Sequence, residues 1–132
     1  MTLVVDTSAL VLATTEVTRQ ADALRTRLAN NVCHAPHLID AELGNVLRRK
    51  VLRDELSPEF AEAVLRLAPD LIDHRHDHRG PLARAAWSLR ANSTFYDGLY
   101  IALADALDAI LITTDARIAA SPRPPCRVEV VA

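Results

Sequence analysis

Two apolar runs near opposite ends of the chain constrain its fold most, because both end abruptly in hydroxyl and carboxylate side chains. Leu3–Val5 is followed by Asp6–Ser8, and Ala109–Ile112 is followed by Thr113–Asp115. Short apolar runs rich in β-branched residues are typical of strands buried on both faces of a parallel sheet. The carboxyl ends of such strands are where open α/β folds keep their sites. Taken alone, Asp6 is better explained as the N-cap of a following helix.

The composition indicates one soluble globular domain spanning 1–132. With 132 residues, 50% of them hydrophobic and 24% charged, the chain can bury a substantial core. It contains no apolar run long enough to cross a bilayer and no charged leader before the first strand, so a cytoplasmic location without membrane contact is expected. Cys33 and Cys126 lie far apart without Cys-x-x-Cys spacing, which suggests neither a disulfide framework nor a zinc site.

Helical and strand patterns alternate along the rest of the chain. Further strands are predicted over 32–35, 71–74 and 127–131, and a proline-rich loop over 121–125. Longer helices are predicted over 15–30, 38–53, 57–68, 80–91 and 95–104, with a short one over 116–120. This alternation predicts an α/β fold, with a mostly parallel central sheet of about five strands and helices on both faces. The right-handed crossover rule then brings the carboxyl ends of the strands to one edge.

Glu42 stands out on the helix predicted over 38–53. Its position falls inside the apolar sector of that helix, whose members are Leu38, Ile39, Leu43, Val46 and Leu47. A carboxylate there is costly without a partner or a metal ion. The alternative is a Glu at the edge of the sector that reaches water or pairs with Arg49. The sequence leaves both interpretations open.

Asp97 begins a helix that is apolar nearly all round. Thr94 or Ser93 can cap this helix, so Asp97 is not needed for capping. Together with Asp6, Glu42 and Asp115 it can converge on one rim of the sheet. Clustered carboxylates repel one another unless a cation joins them, and oxygen ligands favour Mg²⁺ or Mn²⁺. Such sites commonly hydrolyse the phosphodiester bonds of nucleic acids.

Two other features of the sequence, its alternating histidines and its net charge, are weaker evidence about function. The alternating histidines His74, His76 and His78 would share one face of a strand, but no second ligand group matches them, so a solvated turn is favoured over zinc. The formal net charge of −2 argues against strong nonspecific attraction to nucleic acid over the whole surface.

Four segments resemble the signature segments of PIN-domain proteins, in order and spacing over nearly the whole chain. They are Val4–Ser8, Leu38–Leu47, Tyr96–Ala104 and Leu111–Arg117. The nearest kind is the VapC toxin of bacterial toxin–antitoxin pairs. The resemblance implies a metal-dependent endoribonuclease that cleaves RNA, is neutralised by a VapB-like antitoxin, and forms a homodimer and toxin–antitoxin hetero-oligomers.

Matched position by position, the resemblance assigns roles to individual residues. The acidic quartet of the family corresponds to Asp6, Glu42, Asp97 and Asp115. Asp6, Asp97 and Asp115 are the expected ligands of Mg²⁺ or Mn²⁺, and Glu42 either orients and deprotonates the attacking water or completes the metal shell. Ser8, Asn45 and Thr114 match polar positions that support these carboxylates. The strand order of the family puts Cys33 and Cys126 beyond disulfide reach.

Two other functions are compatible with an α/β fold that carries an acidic rim. The first is a catalytically weak PIN-fold binding module whose acidic rim binds an arginine-bearing protein partner. The second is a phosphotransfer domain, but the chain lacks the Asp-x-Asp start of haloacid-dehalogenase-like enzymes. Lys50, the one lysine, also lies in the wrong element for a receiver domain.

Overall fold

The computed structural model describes residues 1–121 and 124–132. Within this part of the chain, five strands form one sheet with the order β3-β2-β1-β4-β5, and every neighbouring pair is parallel. The strands are β1 (Thr2–Val5), β2 (Val32–Pro36), β3 (His74–His76), β4 (Ile110–Thr113) and β5 (Arg127–Val130). The predicted parallel sheet is confirmed. The centre of the loop predicted over 121–125 lies outside the described residues.

Helices connect these strands in the expected alternation. They are α1 (Thr7–Thr15), α2 (Arg19–Ala29), α3 (Leu38–Leu52), α4 (Pro58–Leu67), α5 (Pro81–Ser88), α6 (Phe95–Leu107) and α7 (Ala116–Ala120), with a short 3₁₀ turn over Ala68–Leu71. None of the described helices is both long and apolar enough to cross a membrane.

The core lies on both faces of the two central strands. Leu3, Val4 and Val5 of β1 are fully buried, although successive side chains of a strand point to opposite faces. Both faces of the sheet are therefore covered, as predicted from the apolar runs. Helix α6 packs against β1, β2 and β4, and its residues 98–104 are all buried. This burial explains why its sequence is apolar nearly all round.

Two predicted elements begin at the wrong residue. The helix predicted from Thr15 begins at Arg19, because the Thr18 hydroxyl accepts a hydrogen bond from the Ala21 amide and caps it there. Val17 therefore lies before the helix and is 96% exposed. The third strand was expected over 71–74 but occupies His74–His76, because the apolar residues before it bury themselves around a 3₁₀ turn that includes Pro69.

The strand order separates the two cysteines. Cys33 lies in β2 and Cys126 immediately precedes β5, on opposite sides of the central pair β1 and β4. Three interstrand spacings amount to about 14 Å, well beyond the reach of a disulfide. Both cysteines are free, as expected.

Candidate active site

A cavity of about 610 Å³ opens at the carboxyl ends of β1 and β4. All four carboxylates of the predicted quartet line it: Asp6, Glu42, Asp97 and Asp115. Asp6 follows β1, Asp115 follows β4, and Glu42 and Asp97 come from α3 and α6. The parallel topology thus brings together four residues that are as much as 109 positions apart in the chain.

Asp6 is the most buried carboxylate of the four, with 8% of its surface exposed. Its Oδ1 accepts hydrogen bonds from the Ala9 amide at 3.0 Å and the Ser8 hydroxyl at 2.6 Å, and its Oδ2 accepts one from the Thr113 hydroxyl. Burial raises the pKa of Asp6, and these hydrogen bonds partly offset the rise. Asp6 therefore does cap α1, while its carboxylate also lines the cavity.

Glu42 is held by two hydroxyl groups. The Tyr100 hydroxyl lies 2.7 Å and the Thr7 hydroxyl 2.9 Å from Oε1 of Glu42, and the two hydroxyls are 3.0 Å from each other. Burial and the hydrogen bond to Glu42 raise the pKa of Tyr100, so this phenol remains a neutral donor. The partner expected for a carboxylate in the apolar sector of α3 is thus a pair of hydroxyls rather than Arg49.

Asp97 stands in the first turn of α6 without serving as its cap. The Thr94 hydroxyl accepts a hydrogen bond from the Asp97 amide at 3.1 Å and caps the helix, as predicted. Burial raises the pKa of Asp97, and the negative charges of Asp115 and Glu42 raise it further. The carboxylates are therefore close enough to repel one another.

Gly98 follows Asp97 where two helices approach closely. A Cβ at this position would lie 3.1 Å from the Ala86 carbonyl oxygen of α5. The absence of a side chain therefore lets the first turn of α6, with its carboxylate, rest directly on α5.

Asp115 differs from the other carboxylates because it has a cationic partner. It caps α7 by accepting from the Arg117 amide at 2.9 Å, and both its oxygens also accept from the Arg117 guanidinium, at 3.0 and 2.9 Å. These interactions lower the pKa of Asp115. The Arg117 side chain is 90% exposed, so it can move away with little change in buried surface.

The predicted supporting residues separate into two groups. Ser8 donates to Asp6 and accepts from the Thr114 amide at 3.0 Å, so it links the ends of β1 and β4. Thr114 also lines the cavity, and its backbone makes this link. Asn45 is exposed on α3 and is not among the residues that line the cavity. The structure therefore does not bring Asn45 to the carboxylates.

The donors at the acidic end of the cavity suit a hard divalent cation. They are carboxylate and hydroxyl oxygens, the ligands that Mg²⁺ and Mn²⁺ prefer. Within residues 1–121 and 124–132, no group of three or more His, Cys, Asp or Glu side chains is placed so that it could hold a metal ion. Mg²⁺ usually keeps several waters and is held by one or two carboxylates, so this open arrangement fits it.

Sequence reasoning missed three hydroxyl groups of the site. Thr7 and Tyr100 hold Glu42, and Thr113 donates to Asp6 while accepting from the Asp115 amide at 3.0 Å. Helical spacing could have identified Tyr100, because it lies three residues after Asp97 and thus on the same face of α6. The sequence signal for Thr113 was weaker: it is a hydroxyl residue at the end of the apolar run of β4, and the structure shows it fully buried.

The alternating histidines lie outside this cavity, and His74 and His76 are part of the strand β3 rather than of the expected solvated turn. Nδ1 of His34 in β2 is 2.8 Å from Nε2 of His76, and the rings of His34 and His74 are 4.8 Å apart. Nε2 of His78 accepts from the Leu38 amide at 2.9 Å. Burial and the neighbouring rings lower the pKa of His34 and His76. Two of the histidines thus pack against β2, and the third caps the start of α3.

The sequence model of the PIN domain matches residues 3–123, which include all four carboxylates. The chain belongs to the PIN-domain family. It is 49% identical to ribonuclease VapC1 of Mycobacterium tuberculosis over 128 residues, 97% of this chain and 96% of that protein. It is 36% identical to ribonuclease VapC9 of the same species over 107 residues, 81% of this chain and 84% of that protein. These identities place this PIN domain in the VapC group.

Solved structures share the fold of this PIN domain at much lower sequence identity. VapBC2 from Rickettsia felis, bound to a DNA fragment from its promoter, has a TM-score of 0.74 and 17% identity, with both chains fully covered. DNA-bound VapBC from Salmonella typhimurium has a TM-score of 0.75 and 15% identity, with 98% of each chain covered. The predicted PIN fold is therefore confirmed.

Proposed function

We propose that this protein is a VapC-type toxin, a divalent-metal-dependent endoribonuclease in which residues 1–132 form one PIN domain. The observation that carries the proposal is the convergence of Asp6, Glu42, Asp97 and Asp115 on one cavity. The chain that carries them is 49% identical to a named ribonuclease over 97% of its length. The site of action is the cytoplasm, where the RNA substrate is found.

The four carboxylates have different roles in phosphodiester hydrolysis. Asp6, Asp97 and Asp115 would hold the metal ion, with Asp6 as the anchor because Ser8, Thr113 and the Ala9 amide fix its position. Mg²⁺ or Mn²⁺, if bound there, would stabilise the charge that develops on the phosphate and would lower the pKa of water. Asp115 would join these ligands only if Arg117 moved away, because the guanidinium donates to both its oxygens.

Glu42 orients the attacking water and accepts its proton. Oε1 of Glu42 already accepts from Thr7 and Tyr100, which fixes the plane of the carboxylate and leaves Oε2 for the water. Water then attacks phosphorus, one phosphorus–oxygen ester bond breaks, and the leaving oxygen takes a proton. Completing the metal shell is the alternative role of Glu42.

Cleavage of single-stranded RNA with and without EDTA tests this proposal. We expect cleavage with Mg²⁺ or Mn²⁺ and its loss in EDTA, restored when excess metal is added. Denaturing gels of end-labelled RNA distinguish internal cuts from trimming at the ends. Undiminished cleavage in EDTA would rule out the metal-dependent mechanism.

Tyr100→Phe tests the role of Glu42. The change removes the hydroxyl that donates to Oε1 and leaves the packing of the ring unchanged. We expect kcat to fall by about tenfold with an unchanged KM, a loss typical of residues that orient an active-site ligand. Tyr96→Phe on the same helix is the matched control, because Tyr96 is 60% exposed and does not line the cavity. Equal rates for both variants would remove Tyr100 from the mechanism.

A VapB-like antitoxin is the proposed inhibitor, acting within toxin–antitoxin hetero-oligomers built on a toxin homodimer. Five carboxylates line the cavity when Glu16 is counted with the quartet, so an arginine side chain entering it would find bidentate partners. We therefore expect the antitoxin to bind more weakly as Mg²⁺ rises and to bind Asp6→Asn and Asp97→Asn variants about tenfold more weakly. Isothermal titration measures both effects. Equal affinity for the parent and the variants would contradict inhibition through the carboxylates.

The antitoxin experiment and the cleavage assay together separate the nuclease from the alternative function, a catalytically weak binding module. Asp115 already accepts two hydrogen bonds from the guanidinium of Arg117, which supports the proposal that the acidic rim binds an arginine. A binding module would keep its arginine-bearing partner and show no metal-dependent RNA cleavage. A toxin binds its arginine-bearing partner and also cleaves RNA, and binding of the partner suppresses the cleavage.

A further inference from the structure

The cavity that holds the four carboxylates also has a basic wall, formed by the end of α3. Arg49 and Lys50 line the cavity together with Glu42 and Val46 of the same helix. These residues occupy positions i, i+4, i+7 and i+8, which form one stripe along a helix. The two cations thus face the site because of their helical register.

The helix dipole explains why cations end α3 but not why these two face the cavity. Arg48 lies in the same turn, and the dipole favours it equally, yet it lines a separate groove between α3 and α4. Arg49 is exposed, and within 1–121 and 124–132 no carboxylate forms an ion pair with it. Lys50 makes a surface ion pair with Glu55, at 3.5 Å. Both charges are therefore available to a ligand.

We infer that Arg49 and Lys50 bind a backbone phosphate of the RNA next to the phosphate that is cleaved, an inference that rests on the proposed function. Seven residues separate Arg49 from Glu42, which is about 10 Å along the helix axis. A guanidinium at that distance is clear of the reacting atoms but reaches a neighbouring phosphate. The carboxylates repel a polyanion, so the RNA strand follows the basic wall. Phosphate contacts carry no sequence information, so these residues position RNA without choosing it.

The experiment compares Arg49→Gln with Arg48→Gln, two exposed arginines one position apart that lose the same charge. The binding of short single-stranded RNAs to the full chain is measured by fluorescence anisotropy over a range of salt concentrations. The Asp97→Asn background keeps the RNA intact. We expect Arg49→Gln to weaken binding about fivefold for every RNA sequence and to reduce the slope of log K against log salt by about 0.7. Adding Lys50→Gln should weaken RNA binding further and reduce the salt slope further. Arg48→Gln alone should change neither the affinity nor the slope.

Cleavage kinetics with Asp97 intact supply the second measurement. A positioning role predicts that Arg49→Gln raises KM while kcat stays near the parent value. If Arg49→Gln and Arg48→Gln share one affinity, one salt slope and one KM while the parent cleaves RNA, the basic wall is not a phosphate site, and the nuclease proposal stands. If the parent neither binds nor cleaves RNA, both proposals fail.

Discussion

Asp97→Asn should reduce RNA cleavage at least about 100-fold while the protein stays folded. Asparagine keeps the size of the side chain but removes the negative charge that a divalent ion requires, and such an ion contributes several kcal/mol to catalysis. The fold should tolerate the change because Thr94, not Asp97, caps α6. Replacing the carboxylate also removes repulsion from Asp115 and Glu42, which raise its pKa. Initial rates at saturating Mg²⁺, together with thermal melts, measure both effects.

Asp105→Asn is the matched control, since it makes the same substitution at an exposed position of the same helix. It should leave the cleavage rate and the melting temperature near those of the parent. Comparable rates for Asp97→Asn and Asp105→Asn would show that the carboxylate in the first turn of α6 has no part in the reaction. A loss of activity accompanied by unfolding of Asp97→Asn would contradict the expectation that the fold tolerates it.

The acidic site could be predicted from the sequence because it depends on strand ends rather than on side-chain detail. Asp6 and Asp115 directly follow apolar runs, and the parallel topology sends both to one edge of the sheet. Glu42 could be singled out because a carboxylate within an apolar helical sector needs a partner. The sequence did not identify this partner. Tyr100 lies 58 residues away, and its distance from Glu42 depends on how α6 packs against the sheet.

The mistaken boundaries have a similar cause. Apolar residues near 71 and 72 have strand propensity, but the backbone there bends through a 3₁₀ turn, and Ile72 is buried without joining the sheet. The pairing of β3 with β2 instead includes His34 opposite His74 and Pro36 opposite His76. Local propensity cannot fix this register, because strand pairing depends on cross-strand contacts and burial.

Asn45 shows the limit of assigning roles by matching motifs. Its position in the segment Leu38–Leu47 predicts a supporting role, but Asn45 is exposed and does not line the cavity, although it lies only three residues after Glu42. Ser8 matches a motif position too, and it does join Asp6 to the Thr114 amide. A role for Asn45 therefore remains a prediction that needs a contact outside the cavity described here.

Asp6→Asn should make the metal-free protein more stable, even though Asp6 caps α1. Burial raises the pKa of Asp6, so ionising it costs folding free energy. The amide oxygen can still accept from the Ala9 amide, and its NH₂ group can donate to Thr113, whose hydroxyl can accept as well as donate. In EDTA near neutral pH we expect the variant to melt a few degrees above the parent, a shift on the order of 1 kcal/mol for a domain of this size.

The difference in melting temperature between Asp6→Asn and the parent should depend on pH. For an acid with a raised folded pKa, the cost is fully present above that pKa and is relieved as pH falls through it, so the advantage of Asp6→Asn should shrink in acid. Asp115→Asn is the contrasting control, because Arg117 lowers the pKa of Asp115 and its charge favours the fold. That variant should melt no higher than the parent.

Mg²⁺ should then stabilise the parent more than Asp6→Asn, because an ion that binds the folded state raises its stability by mass action. An Asp6→Asn variant that melts below the parent in EDTA would mean that the cap and its hydrogen bonds outweigh the cost of the buried charge.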